Sequence, residues 1–331
     1  MPDPLHVFFA VLSLFLITTW LKKKKLSWGI GGGIALSLTI LTKPYGIFLG
    51  IPIAAIIVNR YRQKISNQWL PILTITLISV IPYLLWRYHI NHYPEGQFNT
   101  QWLFNSDHIR FTGAFFRWII FERLNKLILG GGGFVLFFAG LIAPKNKKEW
   151  IFYLSWLVGL ALFITIIATG NVTHDYYQLP LIPIVCILVA KGSEFIYQTA
   201  SNWWRKTFNL LIITSLVAMM LAFGWFEVRG FFNINNPAIV ETGKQVNKLL
   251  PRNAKVIAPY NNDSAFLYQT NRQGWPVVTS SIENMINSGA THYVSVNFDE
   301  ITKKIMEKYT ILEKTDRYVI VELKKTQNKI K

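Results

Sequence analysis

Pro4-Leu5-His6-Val7-Phe8-Phe9-Ala10-Val11-Leu12-Ser13-Leu14-Phe15-Leu16-Ile17-Thr18-Thr19-Trp20-Leu21, followed at once by Lys22-Lys23-Lys24-Lys25, decides the fold. An apolar run of this length, closed by a block of cations, is what a bilayer-spanning helix needs, because about 20 apolar residues cross the hydrocarbon core and flanking lysines reach back to the interface. Seven further segments of the same kind follow, at about 27–42, 45–59, 68–86, 127–143, 150–169, 177–192 and 208–228. With 331 residues, 51% hydrophobic, 15% charged and a mean hydropathy of +0.29, the chain is too apolar for an ordinary soluble enzyme. We therefore expect a mostly α, polytopic transmembrane bundle of about eight helices. The net charge of +17 does not indicate nucleic acid, because the lysines and arginines are divided into short blocks between apolar segments. Cys186 is the single cysteine and lies in an apolar run, which excludes a disulfide framework and a cysteine metal site.

The charge blocks give the orientation. If the first helix runs from outside to inside, Lys22–Lys25, Arg60/Arg62/Lys64, Lys145/Lys147/Lys148 and Lys191/Arg205/Lys206 all face the cytoplasm. They hold 13 of the 20 basic residues before residue 230. Six of the eight acidic residues of that region (Asp3, Glu95, Asp107, Glu122, Asp175 and Glu227) then lie outside. This arrangement starts the chain on the outer side, the reverse of a signal peptide, and leads to the expectation of a C-terminal portion that works with an upstream N-terminal half.

Between the fourth and fifth segments, Phe111, Ala114, Phe115, Trp118, Ile119 and Glu122 recur at helical spacing, with Arg110, Arg117 and Arg123 among them, as in a helix lying in the membrane interface. After residue 229 the apolar runs shrink to strand length. Residues 255–258, 275–278, 292–296 and 318–321 read as strands, and 238–250, 281–288 and 299–308 as helices, so that 230–323 forms a small outer α/β domain. Residues 324–331 read as a disordered tail. The glycine runs Gly31–Gly33 and Gly130–Gly133 precede no Lys-Ser or Lys-Thr pair and read as helix-packing sites rather than phosphate loops.

Asp3 stands at the outer end of the first helix, where a carboxylate either favours the helix dipole or does chemistry. Lys43, in Leu41-Thr42-Lys43-Pro44-Tyr45-Gly46, falls at membrane depth on the same side; it either snorkels or meets an anion, for which a phosphate is the obvious choice. His174 and Asp175 precede the seventh segment, and His89, His92 and His108 sit in the outer loop, so a divalent metal remains open, although no helical i, i+4 zinc spacing occurs. Tyr176 and Tyr177 suit an aromatic belt or a sugar-stacking surface.

Pro2-Asp3-Pro4-Leu5-His6-Val7-Phe8-Phe9, Gly32 to Pro44 with its Leu-Thr-Lys, and His174-Asp175-Tyr176-Tyr177-Gln178-Leu179-Pro180 resemble segments of polytopic glycosyltransferases with the GT-C fold. The closer resemblance is to the family grouping protein O-mannosyltransferases with lipid A aminoarabinose transferases, and Gly274-Trp275-Pro276 is similar to the tail of bacterial members. The resemblance implies inverting transfer of a sugar from a polyprenyl-phosphate donor to a lipid, glycan or protein acceptor on the outer face of the cell (inner) membrane. It implies Asp3 as the catalytic carboxylate, which deprotonates or orients the acceptor hydroxyl, with Lys43, His174, Asp175, Tyr176 and Tyr177 binding the donor. It also places the principal catalytic aspartate in an outer loop that this sequence lacks. The rival expectation is a noncatalytic membrane partner that displays the outer α/β domain. A transporter is disfavoured, because the apolar segments lack the internal charges of a transport path. Membrane lipids are the remaining partner; no cofactor is indicated with certainty, and a divalent metal stays open.

Overall fold

The structure, a computed structural model, describes residues 2–61, 68–93, 100–106, 108–232, 236–261 and 263–325. Arg62, Lys64, Glu95 and Asp107, used in the charge assignment, lie outside the described residues, as does the tail from 326. The described residues are 73% helical, and the chain divides into two compact units, Met1–Gly230 and Phe231–Lys331.

In the first unit α1 (Asp3–Lys23), α2 (Leu26–Thr42), α3 (Gly50–Tyr61) and α4 (Trp69–Ile90) are followed by two four-residue helices, α5 (Trp102–Asn105) and α6 (Gly113–Phe116). Then come α7 (Gly132–Ile142), α8 (Lys147–Ile166), α9 (Ala168–Thr173), α10 (Ile182–Gln198) and α11 (Trp203–Val228). Among the described residues six helical stretches are long and apolar enough to cross a membrane, and Leu26–Thr42 is a shorter apolar helix. The segment expected as one span over 127–143 is broken. A π-helix, Arg117–Ile128, continues α6 and bends by 111° into α7, with Gly130 (φ 47°) and Gly131 (φ 67°) in the left-handed region that glycine tolerates. The loop helix is thus a separate element rather than an extension of the next span.

α1 shows how a membrane helix buries a stripe without amphipathicity. Asp3, His6, Ala10, Ser13, Leu14, Ile17 and Trp20 recur at three- and four-residue steps and face the core, while Leu5, Phe8 and Phe15 point outward. Both faces are apolar, as expected where lipid replaces water on the outside. Between helices, small residues set the spacing. A Cβ added to Gly32 would lie 2.7 Å from Ile17, and one at Gly29 would lie 2.8 Å from Ile75, so α2 is wedged between α1 and α4. The expectation of helix packing at the glycine runs is met here and at Gly132, whose added Cβ would sit 2.4 Å from the Leu216 carbonyl of α11. The tightest contact escaped the sequence: Gly140 of α7 and Gly192 of α10 approach the Leu188 and Leu136 carbonyls, at 1.9 and 1.8 Å from the missing Cβ positions.

The second unit begins with α12 (Pro237–Leu249) and contains β1 (Lys255–Ile257), α13 (Ala265–Thr270), β2 (Gln273–Trp275), α14 (Ile282–Asn287), β3 (His292–Ser295), α15 (Glu300–Lys308), β4 (Tyr309–Lys314) and β5 (Val319–Lys325). The sheet order is β2-β1-β3-β5-β4, parallel across β2, β1 and β3 and antiparallel at β5 and β4. Alternate strand residues serve two cores. Val256, Val294 and Ile320 pack with Ile239 and Phe266 on one face, and Ile257, Tyr293, Val319 and Val321 pack with Met285 and Ile305 on the other. The strand expected at 275–278 lies instead at 273–275. There Gly274, at φ 155° with its missing Cβ 1.8 Å from the Val256 carbonyl, admits the close approach of β1. β4 and α13 were not foreseen: β4 reads as mixed polar and apolar because it is a sheet edge. β5 runs to Lys325, into the stretch expected as tail, because Lys325 pairs with Tyr309.

The packing predicts that Gly192→Ala, which forces a methyl into the Leu136 backbone, lowers stability by about 1–3 kcal/mol or more. Gly224→Ala on α11, where nothing lies within 4 Å, should be neutral or stabilising. Thermal unfolding of the two variants in detergent micelles checks the contrast.

Candidate functional site

Two chain segments make the same turn. Thr42-Lys43-Pro44-Tyr45 leads through a 3-10 helix, Pro44–Leu49, into Ile51-Pro52-Ile53 of α3; Thr173-His174-Asp175-Tyr176 leads through a 3-10 helix, Asp175–Leu181, into Ile182-Pro183-Ile184 of α10. In each, one extended residue breaks the helical run: Lys43 at φ −151°, ψ 125° and His174 at φ −117°, ψ 124°. Pro44 favours this at Lys43, since the residue before proline avoids the helical region. The break stops the helix where a polar side chain must project.

Both projections converge on the start of α1. The Lys43 ammonium donates to Asp3 Oδ1 at 2.5 Å, and the Tyr45 hydroxyl donates to the same oxygen at 3.1 Å. Asp3 is 1% exposed and the Lys43 side chain 14%. Asp3 makes no helix-capping hydrogen bond, so its partner is the lysine and not the helix end. The ammonium also sits over the rings of Tyr177, Tyr176 and Tyr45, at 4.5, 5.0 and 5.4 Å from their centroids, a cage that favours a cation shielded from water. His174 stacks on Tyr176 at 5.0 Å and on Tyr177 at 6.0 Å, and Trp102 meets its edge at 5.6 Å. Of the residues singled out in the sequence, Asp3, Lys43, His174, Tyr176 and Tyr177 therefore form one cluster. Asp175 adjoins it through His174 but makes no hydrogen bond or ion pair among the described residues.

Several members were not foreseen. Tyr45 bonds the carboxylate directly. His6, on the same stripe of α1 three residues after Asp3, is fully buried; its Nδ1 lies 3.0 Å from the Thr39 carbonyl, its ring meets Tyr45 at 5.0 Å, and its Nε2 is buried without a partner. The Asp3-x-x-His6 spacing was the available signal. Asp3 Oδ2 is likewise buried without a partner, so the site holds a free acceptor beside its ion pair. Arg123 donates to the Val172 carbonyl at 3.1 Å and Arg110 to the Ile166 carbonyl at 3.2 Å, which ties the loop helix to the chain just before His174. Asn171 and Gln178, both buried, bond across the second turn at 3.0 Å and hold its shape.

Burial lowers the His174 pKa from its ordinary 6.5; nearby Asp175 opposes this, while Lys43 and Arg123 reinforce it. The imidazole is thus neutral near pH 7. The histidines expected in the loop lie apart: His89, in the last turn of α4, contacts Trp86 and Tyr93, and His92 bonds the Tyr88 carbonyl. Among the described residues no three His, Cys, Asp or Glu side chains come together in a way that could hold a metal ion.

Asp3, His6, Lys43 and Tyr45 all lie within a stretch that matches a known family. Residues 1–86 match the family described as dolichyl-phosphate-mannose-protein mannosyltransferase. This match supports a GT-C glycosyltransferase family. It covers about a quarter of the chain, and no curated protein matches the sequence. A mannosyltransferase-like glycosyltransferase in a multi-pass helical membrane protein is the reading that the match and the apolar helices support together.

Two measurements follow from the geometry. Removing one partner of a buried ion pair strands the other charge, at a cost of about 3–5 kcal/mol; Asp3→Ala and Lys43→Met should each destabilise the chain by that order, and the double variant by clearly less than the sum, in denaturant titrations. Because the folded chain holds His174 below 6.5, the unfolded chain takes up the proton first as pH falls. Stability should decline as pH drops below about 6.5 towards the lower folded value, and the His174→Gln variant should lose that part of the pH dependence.

Proposed function

We propose that the chain transfers a sugar from a polyprenyl-phosphate carrier to an acceptor on the outer face of the cell membrane, with residues 230–323 forming an extracytoplasmic domain. The observation that carries the reading is the Asp3–Lys43–Tyr45 cluster within the matched family segment. Lys43 already holds an anion there, and a donor phosphate is a stronger one. When the phosphate takes the ammonium, Asp3 is left as a desolvated carboxylate able to accept a proton. The acceptor hydroxyl oxygen then forms the new bond to the anomeric carbon and gives its proton to Asp3. The bond from the anomeric carbon to the phosphate oxygen breaks, the phosphate leaves with the electron pair, and Lys43 stabilises that charge. His174, neutral and stacked on Tyr176, orients the donor, and Tyr176 and Tyr177 offer ring faces to a sugar.

An apolar crevice of about 340 Å³, lined by Ile40, Ile47, Ile51, Val58, Ile72 and Val80 among others, runs between α2, α3 and α4. Ile40 and Ile47 flank Lys43 in the chain. The crevice suits the prenyl tail of a donor whose phosphate sits at Lys43.

Membranes containing the chain, supplied with polyprenyl-phosphate mannose and an acceptor fraction, should transfer label. Asp3→Asn and Lys43→Ala should each lower kcat/KM by about 10²–10⁴, while Arg229→Ala should not. Undiminished transfer by the Asp3→Ala, Lys43→Ala, His174→Ala triple variant would remove the site from the reaction. A folded chain that transfers nothing from any lipid-linked sugar would favour the noncatalytic membrane partner.

A further inference from the structure

The second unit has the topology of a ligand-binding sheet, independent of what the transmembrane unit transfers. From β1 the chain crosses by α13 to β2 on one side; from β2 it returns by α14 past β1 to β3 on the other. Phe266 of α13 packs into one core and Met285 of α14 into the other, so the two crossovers lie on opposite faces of the sheet. The strand order therefore reverses between β1 and β3, and in open parallel sheets a crevice opens where this happens, outside the carboxyl ends of the strands.

A crevice of about 190 Å³ lies at that point, lined by segments that follow all three parallel strands: Tyr260 and Asn261 after β1, Val277 and Val278 after β2, and Asp299 after β3, with Tyr293 of β3 also in the lining. Its floor is rigid. The Tyr293 hydroxyl lies 2.8 Å from the Thr302 hydroxyl, which in turn donates to Ser295 Oγ at 3.3 Å, and all three residues are buried. Asp299 caps α15 with one oxygen, accepting from the Thr302 amide at 2.8 Å. Among the described residues the Tyr260 hydroxyl and the Asn261 side-chain amide make no hydrogen bond. Asn261 is held at φ 45°, a left-handed conformation unusual outside glycine and tolerated by asparagine.

We infer that this crevice is a carbohydrate site that takes one neutral pyranose ring. Its volume is below the roughly 300–1,000 Å³ of sites for drug-sized ligands, which leaves no room for a nucleotide. Among the described residues no lysine or arginine lines it, and the Asp299 carboxylate repels phosphate. What remains is an aromatic face for the C–H side of a sugar, with an amide and a carboxylate beside it to donate to and accept from neighbouring hydroxyls. The larger polar cleft at the opposite strand ends, beside Arg252 and Lys255, contains an exposed Tyr268 but lies away from the reversal point.

The test is saturation-transfer NMR on the full chain in detergent or nanodiscs, with methyl glucopyranoside, mannopyranoside and galactopyranoside each at about 10 mM, enough to fill a site of millimolar Kd. At least one should show ring-proton transfer. Tyr260→Ala and Asp299→Asn should each weaken it about tenfold, while Tyr260→Phe, which keeps the stacking face, and Tyr268→Ala should retain most of it. Asn caps a helix as well as Asp, so an unchanged melting temperature in Asp299→Asn separates lost binding from lost folding. Transfer from none of the three glycosides, a signal lost only in Tyr268→Ala, or displacement by uridine monophosphate would overturn the proposal.

Discussion

The ion pair between Asp3 and Lys43 is the constraint on which the transmembrane unit depends. Neither charge is tolerable alone at its depth: Asp3 is 1% exposed, and an isolated carboxylate there would neutralise or be expelled. The pair is therefore possible only if the start of α1 meets the end of α2, and that meeting needs a connection that turns the chain back after Lys23. Lys24, at φ 62°, supplies the turn, and Gly32 lets α2 lie against Ile17 along the way. The three tyrosine rings around the ammonium replace the water it has lost.

The repeated turn explains how two distant segments serve one site. A lysine and a histidine each occupy the single extended residue between helical runs, and each is followed by a tyrosine two residues later. Ending a helix frees backbone groups that a lipid-exposed segment could not satisfy. The short 3-10 stretches bury them against neighbours instead, and Asn171 with Gln178 does the same for the second turn. Arg110 and Arg123, anchored on the carbonyls of Ile166 and Val172, brace the second turn from the loop side. The cluster thus rests on four separate stretches of chain, each held by its own hydrogen bonds.

Much of this was legible beforehand, for definite reasons. Apolar length and lysine blocks mark spans because the bilayer enforces them locally. Asp3, Lys43 and His174 stood out because a polar residue beside an apolar run has few harmless explanations. Tyr45 and His6 did not stand out, since tyrosine and histidine near a helix end read as interface residues until a carboxylate is known to face them. Likewise β4 was hidden by its edge position, and Gly140 and Gly192 by lying singly in apolar runs whose partner helix cannot be read from spacing.

The sequence by itself determined the class of the molecule, the approximate spans and the grouping of charges, since each follows from a local exchange between side chain and solvent. Only the tertiary structure decided which helices touch and which polar groups share a site. The π-helical bend at Gly130–Gly131, the pairing of α7 with α10 and the position of Lys43 over three rings all depend on contacts between residues far apart in the chain. The same holds in the second unit, where the strands could be read one by one but the reversal between β1 and β3 could not. A strand's residues fix its two faces; its neighbours are chosen by the cores that those faces must share.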